Sequence, residues 1–280
     1  MKSKVKRMKR KIGFRENIVM GSYLPIVMVS MVGIIISCLL TVVYTSRNGT
    51  DYTILQLLFF KDRSMTMDMP GFTPYDYWAE GIGLWTKMLL PFFIGICECV
   101  ITYERKKGNF DRWLLLRQGR IKLCLGRCLG AFVRNGMIMA GAYLLFGIIV
   151  YSFFGISYVG TEWMKIMHRM LGIFLYGAFI GAIPFLCCTL FSDKYILMCF
   201  PLLIKYMYDR IVNRFFTNAM SLRDQNGMDI ASGFELERII DLNNSSGFII
   251  RLAALIILYI LIGFIVNMSF LRGESNAKAL

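Results

Sequence analysis

Charged side chains inside apolar runs are the residues of this chain with the most chemistry to offer. Glu98 stands in the run 83–103 and Arg134 in the run 129–154. A charge in hydrocarbon is costly, so ionisable groups there turn to a protein interior or a water-filled cavity and pair with one another. Glu98 lies about a turn and a half above the inner end of its run, and Arg134 sits at a similar depth. The spacing predicts a buried Glu98–Arg134 ion pair, which suits either structural glue or a part in a transport path. Lys205 and Asp209 are four residues apart and share a helix face. They either line an outer vestibule or snorkel to the outer interface. Asn135 and Asn267 read as inter-helix hydrogen-bonding groups.

Other reactive groups are poorly placed for catalysis. Cys124 and Cys128 are one helical turn apart, but the sole histidine, His168, is expected on the other side of the membrane. Two buried apolar cysteines fit better than a zinc site, and Met65, Met67 and Met69 read as apolar contacts. No metal site is expected. The chain contains no G-x-x-x-x-G-K-[ST] phosphate loop, no H-E-x-x-H motif and no serine elbow. It is therefore not expected to be an enzyme or to bind a cofactor directly.

The elements that would position these residues follow from hydropathy. The chain is 56% hydrophobic over 280 residues, more than a soluble domain of this length can bury. Six apolar runs, about 21–45, 83–103, 129–154, 169–191, 195–214 and 247–271, each approach or exceed the ~20 residues that cross a bilayer core of about 30 Å. The expected fold class is all-α: a polytopic membrane protein with six transmembrane helices in one domain, 21–271. Residues 1–20 alternate basic and apolar residues, as in a basic amphipathic interfacial helix or a positively charged disordered tail. Residues 46–82 and 215–246 form outer loops, and 272–280 a cytoplasmic tail. Within the first loop, Ile54 to Phe60 is expected on the outer interface, with Phe72, Tyr75, Tyr77 and Trp78 as an aromatic belt.

Charge sets the orientation. The net charge is +14. Lys2, Lys4, Lys6, Arg7, Lys9, Arg10, Lys11 and Arg15 crowd the N-terminus, and Arg105, Lys106, Lys107, Arg112, Arg117, Arg120, Lys122 and Arg127 crowd 103–128. Loop 46–82 has only Arg47, Lys61 and Arg63, and loop 215–246 only Arg223 and Arg238. Basic residues on alternate loops place both termini in the cytoplasm. This topology accounts for the charge, so no nucleic-acid partner is expected. The two outer loops carry no cysteine, so no disulfide framework holds them.

The inner segment 104–119 is the most distinctive. Glu104-Arg105-Lys106-Lys107-Gly108 follows the second run. An amphipathic piece then sets Phe110, Trp113 and Leu114 against Arg112 and Arg117. It reads either as a positive-inside loop or as a docking element for a soluble subunit. With these residues, the Leu115-x-x-Gln118-Gly119-Arg120 entry to the third run, the short Ser192-Asp193-Lys194 turn and the polar stretch before the last run, the whole chain resembles the ABC-2 type transmembrane subunits of ATP-driven transporters. The long loop 46–82 departs from that pattern.

The resemblance implies a bacterial cell-membrane permease that forms a homodimer, or a heterodimer with a related permease, surrounded by membrane lipid. It implies cytoplasmic ABC ATPase subunits that hold ATP and Mg. Glu104, Arg105, Lys106, Gly108, Phe110, Arg112, Trp113, Leu114 and Arg117 match the family's coupling helix. The expected cargo is an amphipathic peptide, such as a bacteriocin or a toxin like the phenol-soluble modulins. The alternatives are a lipid-linked glycan or a drug carried by the same family, or a self-contained secondary transporter or channel.

Overall fold

The computed structural model describes residues 24–45, 51–59, 73–107, 119–154, 159–190, 194–211, 239–240 and 246–276. The 1–20 segment and most of loop 215–246 lie outside them. The elements are α1 (Leu24–Leu39), β1 (Val42–Thr45), β2 (Asp51–Thr53), α2 (Ile54–Phe59), α3 (Pro74–Glu80), α4 (Leu84–Lys107), α5 (Arg120–Phe154), α6 (Val159–Leu190), α7 (Lys194–Ile211) and α8 (Ser246–Asn276). The fold is helical, as composition predicts, with one small antiparallel hairpin that the sequence did not announce. It pairs Val42 with Thr53 and Thr45 with Asp51.

The expectation of six transmembrane helices is overturned. Among the described residues, two helices are long and apolar enough to cross a membrane, Arg120–Phe153 in α5 and Glu162–Cys188 in α6. The reasons differ by element. Among the described residues, the first run, read as 21–45, is helical over the 16 residues Leu24–Leu39, a rise of about 24 Å; the chain then turns at Leu40 and Thr41 into β1. In α8 the apolar stretch is the shorter Leu252–Met268. α7 has 18 residues, with Lys194, Lys205, Asp209 and Arg210 among them. α4 carries Lys87, Glu98 and the Glu104–Lys107 run. Boundaries also move. α5 begins nine residues before the apolar run at 129 and α6 ten residues before the run at 169, and α8 extends to Asn276, into the expected tail.

α6 is the central helix, packed against α4, α5, α7 and α8, while α1 lies across α4 and α5. Contacts such as Ser30 with Phe93 and Asn135 with Gly181 run antiparallel between α1 and α4 and between α5 and α6. Pro91, Pro184 and Pro201 lie inside α4, α6 and α7.

The short elements of loop 46–82 pack inward instead of lying on an interface. Ile54 and Leu57 of α2 are buried, and Tyr77 and Trp78 of α3 are among the largest fully buried side chains. α3 starts at Pro74, where proline has no amide to lose. The Asp76 carboxylate accepts from the Thr73 amide at 2.7 Å and from its hydroxyl at 2.8 Å. That start turns Trp78 towards α5. Its indole Nε1 donates to the Tyr143 carbonyl at 3.3 Å, and the Tyr143 hydroxyl donates to the Trp78 carbonyl. The two rings stand 4.7 Å apart. The expected aromatic belt is therefore corrected for Tyr77 and Trp78: their polar tips reach the core, where aromatic area is worth most.

Candidate functional site

A seam of buried polar groups follows one stripe of α5. Arg127, Ala131, Arg134 and Ile138 recur at helical spacing and are all buried. Arg134 sits beside α4, where Glu98 is 1% exposed. Arg134 Nη2 donates to Glu98 Oε1 and forms a buried ion pair. One residue on, Asn135 donates to the Gly181 carbonyl of α6 at 3.1 Å. Its side-chain oxygen has no donor among the described residues. Two turns earlier on α5, Arg127 donates to Asn267 Oδ1 of α8 at 3.5 Å. Asn267 in turn donates to the Gly263 carbonyl at 2.8 Å. Tyr259 closes the seam by donating to the Cys128 carbonyl at 3.1 Å.

The seam thus links α4, α5, α6 and α8. Two guanidinium groups and one carboxylate sit where solvation by water is lost, so geometry and hydrogen bonds must compensate for it. Removing one partner of such a pair leaves a buried charge. The arrangement therefore specifies how the helices meet and penalises separation of α4 from α5. It contains no nucleophile beside a base, and no group of three metal-ligating side chains occurs among the described residues.

The remaining expected site residues divide clearly. Lys205 is buried on α7; Asp209 lies one turn further on, its side chain outside the described residues. The expected pairing of Lys205 with Asp209 therefore lies outside the described residues. Glu104, Arg105 and Lys106 continue α4 as helix, where the sequence suggested that the apolar run ended near Tyr103. Gly108, Phe110, Arg112, Trp113, Leu114 and Arg117 lie outside the described residues. The break before α5 is described: Gly119 has φ +77°, a left-handed conformation that glycine adopts without steric cost. Cys124 and Cys128 are both buried.

Several contacts escaped the sequence reading. Arg169 Nη2 donates to the Ala79 carbonyl of α3 at 2.7 Å. Tyr151 donates to Glu162 at 3.0 Å, joining α5 to α6 beside their connection. Ser30 donates to the Phe93 carbonyl at 2.8 Å. Cys99 and Cys188 face each other across α4 and α6, with sulfurs 3.7 Å apart. Helical spacing could have marked Arg127, one helix face with Arg134; the others depend on register between helices. Beside these contacts, burial pushes the Tyr77 phenol of α3 above its ordinary pKa, and the Asp76 charge adds to that shift.

No family model matches the chain, and no curated protein or solved structure matches it.

Proposed function

We propose that the chain is the membrane-embedded permease subunit of an ABC-2 type ATP-driven exporter. It lies multi-pass in a bacterial cell membrane with both termini on the cytoplasmic side. One observation carries the membrane part of this reading: large apolar side chains cover the outside of the bundle while charged and amide side chains are buried between its helices. Val29 and Ile36 on α1, Leu144 and Ile148 on α5, and Leu258 and Ile265 on α8 are exposed. Ser30, Glu98, Arg134, Asn135, Lys205 and Asn267 are buried. A bundle solvated by lipid presents apolar faces outward and keeps polar groups for contacts between helices.

The ABC-2 assignment rests on the resemblance carried by 104–120, the short Ser192-Asp193-Lys194 turn and the polar stretch before the last run. In this reading the chain does no covalent chemistry. Partner ATPase subunits, holding ATP and Mg, dock on Glu104 to Arg117. Their closure shifts the bundle between two arrangements, and a second permease copy completes the path. The cargo is an amphipathic peptide.

The test is purification of the tagged chain from native membranes, followed by identification of its companions and assay of ATP turnover. A stably bound ATPase should accompany the chain and be lost or uncoupled in Trp113→Ala. Arg112→Glu should weaken the complex in a salt-dependent way, because exposed charges are screened over about 8 Å at physiological ionic strength. Transport by the purified chain without any ATPase would replace this reading with a self-contained carrier or channel. Full ATPase binding and export by both variants would remove the coupling role from this segment.

A further inference from the structure

α4 and α6 meet in a register fixed by two successive contacts. A methyl group on Gly95 would lie 3.5 Å from Pro184 Cβ, so the backbones pass closely there. One turn further along each helix, Cys99 and Cys188 bring their sulfurs to 3.7 Å. Both pairs advance in the same direction, so the helices run parallel at this contact. The thiols sit in a small apolar cluster with Cys187, packed by Ile183 of α6 and by Phe200 and Ile204 of α7. Cys187 is one residue away on the same helix and points about 100° around it. Cys188 is the thiol that meets Cys99.

We propose that Cys99 and Cys188 are an oxidative cross-linking site, at which hydrogen peroxide joins the two thiols in a reversible disulfide that staples α4 to α6. Hydrogen peroxide is small and uncharged, so it can enter an apolar cluster that charged oxidants cannot. Cys99 is 6% exposed and Cys188 fully buried, so Cys99 reacts first. Its sulfur attacks one peroxide oxygen and the O–O bond breaks. The departing hydroxide takes the thiol proton and leaves as water, and Cys99 becomes a sulfenic acid. The Cys188 sulfur then attacks the Cys99 sulfur. The S–O bond breaks, and the second hydroxide leaves with the Cys188 proton as water. Two thiols and one peroxide give one disulfide and two waters. Buried thiols are ordinarily slow to react; here the second thiol is already in contact, so the sulfenic acid is captured before further oxidation. Closure needs the sulfurs to move from 3.7 Å to bonding distance, about 2.05 Å.

The staple would have a mechanical consequence. It lies beyond Pro91 in α4 and Pro184 in α6, each of which removes a helical hydrogen bond and allows a bend. Joining the two helices past those points ties together the segments that would otherwise tilt independently.

The experiment treats the full-length protein in its membrane with hydrogen peroxide, caps remaining thiols with N-ethylmaleimide, and maps linked peptides by mass spectrometry. The expected product is a Cys99–Cys188 peptide that dithiothreitol reverses and that is absent from Cys99→Ala and Cys188→Ala. Peroxide should also raise the unfolding temperature of the wild type but not of either variant. The proposal is overturned if both thiols remain available for capping when the exposed Cys199 is oxidised. It is also overturned if Cys99 links to Cys187 instead, if it ends as a sulfonic acid, or if the disulfide forms with no change in unfolding temperature. These readouts need neither export nor an ATPase, so they stand or fall separately from the proposed function.

Discussion

Glu98 and Arg134 are both buried and hold each other in place as an ion pair. An uncompensated charge at such a position is unstable. Glu98→Gln should therefore destabilise the protein by about 3–5 kcal/mol, the range for breaking a buried pair. Adding Arg134→Met should recover part of the loss. Strictly additive losses in the double-mutant cycle, read from detergent-solubilised unfolding curves, would show that the two side chains are not coupled. Trp78 makes a different residue-scale case. Trp78→Ala should cost about 3–5 kcal/mol through cavity formation. Trp78→Phe should cost less, since it keeps most of the ring and loses the hydrogen bond to the Tyr143 carbonyl. Equal losses in the two variants would place the value of Trp78 in its indole N–H rather than its packing. The pairing of Glu98 with Arg134, unlike any role for it, is legible in sequence: two opposite charges in neighbouring apolar runs have few other partners. Trp78 was misread because an aromatic residue beside Pro74 and Gly81 matches both an interfacial anchor and a core plug.

Elements were legible where composition is uniform and illegible where the chain changes state within an apolar run. α5 and α6 follow directly from their long apolar stretches. α1 does not, because Thr41, Val42, Val43 and Tyr44 continue the apolar signal while favouring extended backbone. Hydropathy sees one run there; the chain makes a helix and then a strand. The long segment before α8 likewise hides an anchor. Ile239 and Ile240 are buried, and their backbone carbonyls press on the position where a side chain on Gly172 of α6 would stand. Because the opposing atoms are backbone, they cannot rotate away. Gly172→Ala should destabilise by about 1–3 kcal/mol, the range for overpacking, and should raise hydrogen exchange at 239–240 more than at α4. Unchanged exchange there would mean that the two carbonyls do not rest on α6.

For the molecule as a whole, the discriminating property is which kind of side chain faces out. Met137 is 58% exposed in the middle of α5. On a surface in water, Met137→Lys would alter stability by no more than about 0.5 kcal/mol. Facing lipid near the middle of a spanning helix, it should cost about 2.5–3.5 kcal/mol on the insertion scale. Membrane-insertion assays of α5, with and without the lysine, measure the difference; a silent substitution would remove the lipid-facing reading of that surface. Sequence made the apolar excess plain. It could not count spanning helices, because the same excess supplies both exposed apolar surface and the buried sides of α1, α4, α7 and α8. The polar seam also imposes an order on biosynthesis. Arg127 and its acceptor Asn267 are separated by 140 residues, so the arginine emerges from the ribosome long before the asparagine. Until α8 has been made, that bond between the two helices cannot form. Arrival of α8 then ties it to the first-formed part of α5.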